Sequence, residues 1–400
     1  MLIPSEAQNI IFKAIQSQPS DSVDFNLSLG RVLHQDIVSD RDYPPYNRAT
    51  MDGYGLRAES FNNGCRKFYS KGIQKAGDKP SVLALADDAC IEIMTGAVVP
   101  EGVTAVVPYE EVDVNDAVSL KPGMSLKVGQ NIHAQGSDAK QGTILINKGK
   151  RVTSADIAVM ASCGYQTVAV NKQPRIALIS SGDEIVDVSV NPQPHQIRKS
   201  NVYALKAALS SANFLDVSLY HFRDNELEVA KELTGILDSH DCIILTGGVS
   251  QGKTDYFPSQ LLKSGVTNLI HGVAQKPGKP FWFGISKKQT PVFALPGNPV
   301  SSYVCLHRYV LPALFKSSGC VESKPVSVRL NKPVSTNPKI TAFVAVKISR
   351  DATGQLVADP LPSNTSGDFI GLIGTDGFIE LQAGQNSYLE GTPVSYIPWA

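Results

Sequence analysis

The sequence predicts a multidomain α/β protein: a central three-layer α/β/α domain around a mostly parallel sheet, a β-rich N-terminal module and a small C-terminal β domain. Three observations carry this. From Pro174 to Leu314 continuous apolar runs alternate with amphipathic segments, the pattern of buried parallel strands and the helices that cover them. Between Asp40 and Lys150 the texture changes to short Val/Thr-rich runs separated by Gly/Pro turns, and beyond Pro325 short alternating runs return. At roughly 150 residues per domain the chain divides into two or three domains, and its 42% hydrophobic content supplies each with a core. The predicted boundaries are 1–170, with an inserted β-rich module at about 45–145, then 171–317 and 325–400.

Taken in order, residues 5–18 have helical apolar spacing (Ile10, Ile11, Ala14, Ile15) behind a capping-type start at Ser5-Glu6-Ala7-Gln8. Ala105–Val107 and Thr143–Ile146 read as strands, and Thr153 to Cys163 as a short helix. In the central region strands are expected at Arg175–Ser180, Val217–Tyr220, Cys242–Leu245, Phe281–Ile285 and Val292–Leu295. Helices are expected over Asn201–Ala212, Asn225–Leu237, near Tyr256–Lys263, and unbroken from Pro299 to Leu314. The C-terminal runs are Val326–Leu330, Ala342–Ile348 and Val394–Ile397.

The 37 Lys+Arg residues balance 37 Asp+Glu, a formal net charge of zero, so neither a nucleic-acid nor a membrane partner is predicted. No apolar run reaches the roughly 18 residues needed to span a bilayer, and the first residues lack a signal-peptide pattern; the expected location is the cytoplasm. Six cysteines are scattered singly with no Cys-x-x-Cys, and seven histidines form no i, i+4 pair. A metal, if used, is then a hard ion held by oxygen.

Chemistry is expected beyond the carboxyl ends of the central strands. Ser180-Ser181-Gly182-Asp183-Glu184 places two carboxylates just past a strand. Thr246-Gly247-Gly248-Val249-Ser250-Gln251-Gly252-Lys253-Thr254-Asp255-Tyr256 combines glycines, hydroxyls, a lysine and an aspartate before a helix, as suits a phosphate or other oxyanion, but it is not a Walker A loop. Leu295-Pro296-Gly297-Asn298-Pro299-Val300-Ser301-Ser302 again runs from strand through glycine into a helix. Between the second and third loops, prolines stiffen Gln275-Lys276-Pro277-Gly278-Lys279-Pro280 and hold two ammonium groups in one loop. A Pro-rich aromatic segment ending Met51-Asp52-Gly53-Tyr54 stands apart from these.

Together with Ile93-Met94-Thr95-Gly96-Ala97-Val98-Val99-Pro100, these segments resemble, in order and along nearly the whole chain, the molybdopterin molybdenumtransferases, the family that includes the E domain of gephyrin. The resemblance implies a molybdopterin-binding central domain, a barrel-like C-terminal domain and an elongated homodimer. It implies an enzyme that inserts molybdate into adenylylated molybdopterin, hydrolysing the pyrophosphate link with Mg2+ and releasing AMP, with a molybdopterin adenylyltransferase as a candidate partner. On the family pattern Asp52, Asp138, Glu184, Asp224 and Asp255 take acidic active-site positions, with Glu184 and Asp255 as metal ligands. Thr95, Gly247, Gly248, Ser250, Lys276, Lys279, Pro296, Gly297, Asn298, Ser301 and Ser366 take substrate-binding positions.

Three positions depart from that pattern. Ala345 stands two residues after Phe343 where many members carry arginine, Thr104 where Asp is common, and Lys199 where an acidic residue is frequent. Arg350 lies five residues further along the same strand and, by alternation, on its other face. Two other readings stand beside the insertase: an adenylyltransferase, favoured by Gly-Gly-Val-Ser alone, and a non-catalytic cofactor-binding paralogue, favoured by the lost arginine.

Overall fold

A computed structural model describes residues 1–81, 86–223, 226–248, 257–321, 325–361, 367 and 369–399. It divides into two compact units, one of Met1–Gln35, Gly149–Thr153 and Thr167–Ala400, the other of Asp36–Lys148 and Ser154–Gln166.

The second unit is the β-rich module. Its four-stranded sheet runs Tyr69–Gln74, Ala89–Ile93, Gly53–Leu56, Ala105–Pro108. Tyr54, Leu56, Phe61, Phe68, Cys90 and Val107 pack into its core. Short ribbons pair Arg48–Ala49 with Ile132–His133 and Ile37–Val38 with Ile144–Ile146. The helix expected near residue 153 is Ser154–Ser162.

In the first unit the N-terminal helix is Pro4–Ala14, not 5–18. The Ile3 N–H donates to Glu6 Oε2 at 3.0 Å, so the cap sits before Pro4 rather than at Ser5. Beyond Ile15 the backbone is extended, the Gln18 N–H bonds the Ser317 carbonyl, and Ser20–Asp24 pairs with Thr167–Asn171.

The central domain follows the predicted alternation: β1 (Ile176–Ser181), α1 (Asn201–Ser211), β2 (Val217–Phe222), α2 (Glu226–Ser239), β3 (Cys242–Thr246), α3 (Phe257–Lys263), β4 (Thr267–His271), β5 (Trp282–Ile285), β6 (Pro291–Leu295) and α4 (Pro299–Cys305). The sheet order is β2-β1-β3-β6-β5-β4; the strands are parallel through β6, β5 is antiparallel to both its neighbours, and β4 runs again in the direction of the parallel set. Successive side chains of β1 explain its continuous apolar run. Ile176 and Leu178 enter a core with the N-terminal helix, α1 and α4, while Ala177 and Ile179 enter a second core with α2 and α3. Strand β4 was not expected; it is an edge strand that buries only Ile270, so its sequence lacks an apolar run.

The helix expected from Pro299 to Leu314 ends at Ser317 and is interrupted. Between α4 and α5 (Leu311–Ser317) lies a π-helical turn, Leu306–Val310, in which the Leu311 N–H returns to the Leu306 carbonyl and every residue is buried. Arg308 there forms a buried ion pair with Glu380 at 2.8 Å and also donates to Gln8 Oε1 at 2.8 Å. His307 packs edge-on to Tyr303 and Trp399, with ring centroids at 4.7 and 5.2 Å.

The C-terminal strands β7 (Val326–Leu330), β8 (Thr341–Arg350), β9 (Leu356–Pro360), β10 (Gly377–Leu381) and β11 (Pro393–Pro398) form a small closed barrel, because β8 pairs with both β9 and β10. Gln275–Lys276 pairs in parallel with the start of β8, Gln275 opposite Thr341. No described helix is long and apolar enough to cross a membrane.

His307 Nε2 is buried with no hydrogen-bond partner among the described residues, and burial depresses the imidazole pKa from 6.5 to about 4. The folded state therefore binds fewer protons than the unfolded one, so stability present above about pH 6.5 is lost as pH falls towards 4. We expect this site to remove roughly 2–3 kcal/mol between pH 7 and pH 4.5, and His307→Phe to lack that component. Urea midpoints at the two pH values check it; equal acid losses in both proteins would contradict it.

Candidate functional site

The parallel strands β1, β3 and β6 deliver their carboxyl-terminal loops to one edge of the sheet. Chain order reverses there: α1 carries the chain from β1 outward to β2, and α2 returns it across to β3, so β1 and β3 flank a topological switch point. A cleft of about 820 Å³ opens at this edge, with Gly182, Glu184, Gly247, Gly248, Gly297 and Asn298 among its lining residues. The helices starting at Asn201 and Pro299 both begin at its wall, which puts the positive ends of their dipoles at the cleft.

Local chemistry explains the shape of this edge. Gly247 has φ +97° and a Cβ on it would meet Ser181 Oγ at 3.1 Å, so only glycine lets the β3 loop fold against β1. Gly297 faces it, with the position of its own missing Cβ 3.4 Å from Gly247 Cα. Asn201 fastens the two loops: its Nδ2 donates to Thr246 Oγ1 at 3.0 Å and to the Gly297 carbonyl at 2.7 Å. Its Oδ1 is buried with no partner among the described residues.

The cleft carries both signs of charge. Glu184 lines it and is exposed, as is Asp183 beside it; Arg198 and Lys199 line it from the following segment. His221 lies within 3.0 Å of Ser180 Oγ through Nδ1. Burial, then Lys199 and Arg223, depress the His221 pKa against the opposing pull of Asp183 and Glu184.

Among the expected site residues, Glu184, Gly247, Gly248, Pro296, Gly297 and Asn298 are thus brought together. Lys276 and Lys279 are exposed on a neighbouring loop whose Pro280 also lines the cleft. Ser301 is 4% exposed within α4, its side chain buried. Asp224, Ser250, Asp255 and Ser366 lie outside the described residues.

Asp52, Thr95 and Asp138 belong to the β-rich unit. Asp52 Oδ1 accepts the Thr95 N–H at 2.6 Å, and that bond holds its carboxyl below the usual range. Asp138 ends a chain that sequence reading missed. Arg48 sits directly opposite His133 in register, and Arg48 Nη2 approaches His133 Nδ1 at 3.2 Å. Because guanidinium only donates, Nδ1 accepts, leaving the Nε2 N–H to donate to Asp138 Oδ1 at 2.8 Å. The signal available was the His133-x-x-x-x-Asp138 spacing, which alone does not point to Arg48.

The departures also have locations. Ala345 is 8% exposed in β8, opposite Phe378, and β8 continues to Arg350 without a register shift in its pairing. Arg350 instead donates to the Gly354 carbonyl at 2.7 Å in the next turn. Thr104 accepts the Ala58 N–H at 2.9 Å and donates to Glu59 at 2.7 Å, anchoring the short helix Ala58–Asn62.

Among the described residues no three His, Cys, Asp or Glu side chains gather as a metal cage would. Mg2+ does not need one, since it keeps several waters and takes one or two carboxylates plus substrate phosphates. The exposed Glu184 carboxylate in the cleft offers one such oxygen ligand.

Comparison with known proteins agrees along the whole chain. Residues 3–164 match the MoeA N-terminal region (domain I and II), 177–316 a probable molybdopterin binding domain, and 327–399 the MoeA C-terminal region (domain IV). A molybdopterin molybdenumtransferase of Synechocystis sp. is 37% identical over 380 residues, covering 94% of this chain and 95% of that protein. One from Staphylococcus epidermidis is 30% identical over 398 residues, covering 98% and 94%. A crystal structure of the molybdopterin biosynthesis MoeA protein from Pyrococcus horikoshii superposes with a TM-score of 0.84 at 25% identity, covering all of both chains. With the strand-end cleft on the domain that matches a molybdopterin-binding model, and relatives alike from end to end, the chain belongs to the MoeA family of molybdopterin molybdenumtransferases.

Proposed function

We propose that this chain inserts molybdate into adenylylated molybdopterin, with Mg2+-dependent hydrolysis of the pyrophosphate link and release of AMP. The observation that carries the reading is the junction of β1, β3 and β6, where glycine loops, helix starts and Glu184 share one cleft beside a two-lysine loop. A pyrophosphate ester and an oxyanion require N–H groups and cations; the Gly247 N–H is spent on the Leu295 carbonyl, so the loop residues beyond it and the loop at Gly297 would offer the first, and Lys199, Lys276 and Lys279 the second. Glu184, with Asp255, would hold the ion. Bound there, Mg2+ neutralises charge on the pyrophosphate oxygens.

The residues of the chain then bind and orient. The backbone N–H groups of the glycine loops cradle phosphate oxygens, and Asn201 keeps the two loops in register for that contact. The lysine loop draws the anions in. A water attacks the adenylyl phosphorus, the bridging P–O bond breaks, and AMP leaves as molybdopterin keeps its own phosphate. The same reading makes the enzyme a cytoplasmic homodimer that receives its substrate from a molybdopterin adenylyltransferase.

The deciding assay incubates the pure protein with adenylylated molybdopterin, Mg2+ and molybdate; AMP release that needs all three is expected, and its absence overturns the reading. Glu184→Gln should lower Mg2+-dependent kcat at least about 100-fold, while changing stability by under about 0.5 kcal/mol because the side chain is exposed. Retained Mg2+-dependent turnover would remove Glu184 from the ion. Lys279→Ala should weaken anion binding with a loss that shrinks as ionic strength rises, read from KM for molybdate at low and high salt.

A further inference from the structure

We propose that Gln275 and Tyr309 are positioning residues that hold the Lys276–Lys279 loop in its anion-binding form; the inference rests on the functional reading above. Gln275 precedes the loop and is 1% exposed. Its amide Nε2 donates to the Pro277 carbonyl and to the Gly278 carbonyl, each at 3.2 Å. Those are the carbonyls of the two residues that lie between the lysines. Nε2 also reaches Cys305 Sγ at 3.6 Å, and Oε1 accepts the Tyr309 hydroxyl, so the amide is fixed at both ends and cannot flip without losing these bonds.

Tyr309 is itself immobile. It is fully buried, stacks on Phe281 with ring centroids 4.5 Å apart, and sits in the π-helical turn beside Arg308, which Glu380 and Gln8 hold. Burial pushes its phenol pKa up, so it remains a hydrogen-bond donor throughout the physiological range. Gly278 completes the clamp. At φ +93° a Cβ would meet Gln275 Nε2 at 2.6 Å and Cys305 Sγ at 2.7 Å, so the loop can lie this close only with glycine there.

The loop needs such a clamp because two like charges three residues apart repel, and each long side chain gains entropy if the backbone beneath it loosens. A buried amide tying both intervening carbonyls opposes that from below, where solvent does not compete. The lysines themselves stay exposed, so the network acts on their placement and not on their charge.

Gln275→Met keeps the side-chain length and deletes every hydrogen bond of the amide; Tyr309→Phe deletes one. We expect Gln275→Met to raise KM for molybdate about tenfold while kcat stays within about threefold, Tyr309→Phe to give a smaller rise, and the double variant to match Gln275→Met because the bonds form one unit. A role confined to stability would lower the unfolding midpoint and leave this split unmoved. If Lys279→Ala raises KM while Gln275→Met and Tyr309→Phe leave it unchanged, the positioning role is wrong and the anion site stands. If Lys276→Ala and Lys279→Ala change nothing, the anion-site reading falls and takes this one with it. Should Gln275→Met not fold, Tyr309→Phe alone decides: an unchanged KM overturns the proposal.

Discussion

Everything at the cleft depends on the parallel register of β1 against β3, Ile176 opposite Cys242 through Ser180 opposite Thr246. A one-residue slip of β1 would exchange Ala177 and Ile179 in one core with Ile176 and Leu178 in the other, so the pairing is fixed by how each set fits its own helices. Once it is fixed, the loops after Ser181 and Thr246 must emerge side by side. The close packing of Gly247 on Ser181, and the reach of Asn201 to both Thr246 and Gly297, follow from that register.

The cleft architecture was largely legible because its causes are local or periodic. Continuous apolar runs mark strands buried on both faces, glycine after a strand marks a turn with close backbone approach, and proline after Asn298 marks a helix start. What escaped was set by contacts between distant residues. Arg48 and His133 meet only because two short strands pair in one register, and each strand is two residues long. The reversed direction of β5, antiparallel to both β6 and β4, is likewise hidden, since an apolar run carries no sign of its orientation.

The π-helical turn is the clearest case of a feature hidden from periodicity. Residues 299–317 have helical apolar spacing, and nothing in that spacing announces a widened turn. The sequence does contain an arginine and a histidine among apolar residues at Leu306-His307-Arg308-Tyr309-Val310, which an ordinary helix would expose on one face. The wider turn buries all five, and the burial is tolerable only because Glu380 and Gln8 satisfy the guanidinium. One polar residue thereby connects the N-terminal helix, the central domain and the barrel.

Net charge of zero is a poor guide to such a molecule, because fields act locally. Around the cleft, Arg198, Lys199 and Arg223 stand against Asp183 and Glu184. His221 reports the balance: after burial, the cations outweigh the carboxylates in setting its titration, so the imidazole senses a positive surrounding. With Ala345 where the family pattern has arginine and Arg350 tied into its own turn, the cations lining the cleft among the described residues are Arg198 and Lys199, with the lysine loop beside them. A loop ammonium is mobile where a strand-borne guanidinium is not. On the proposed function, whatever holds that loop still matters more, and the buried amide of Gln275 is a group that reaches it.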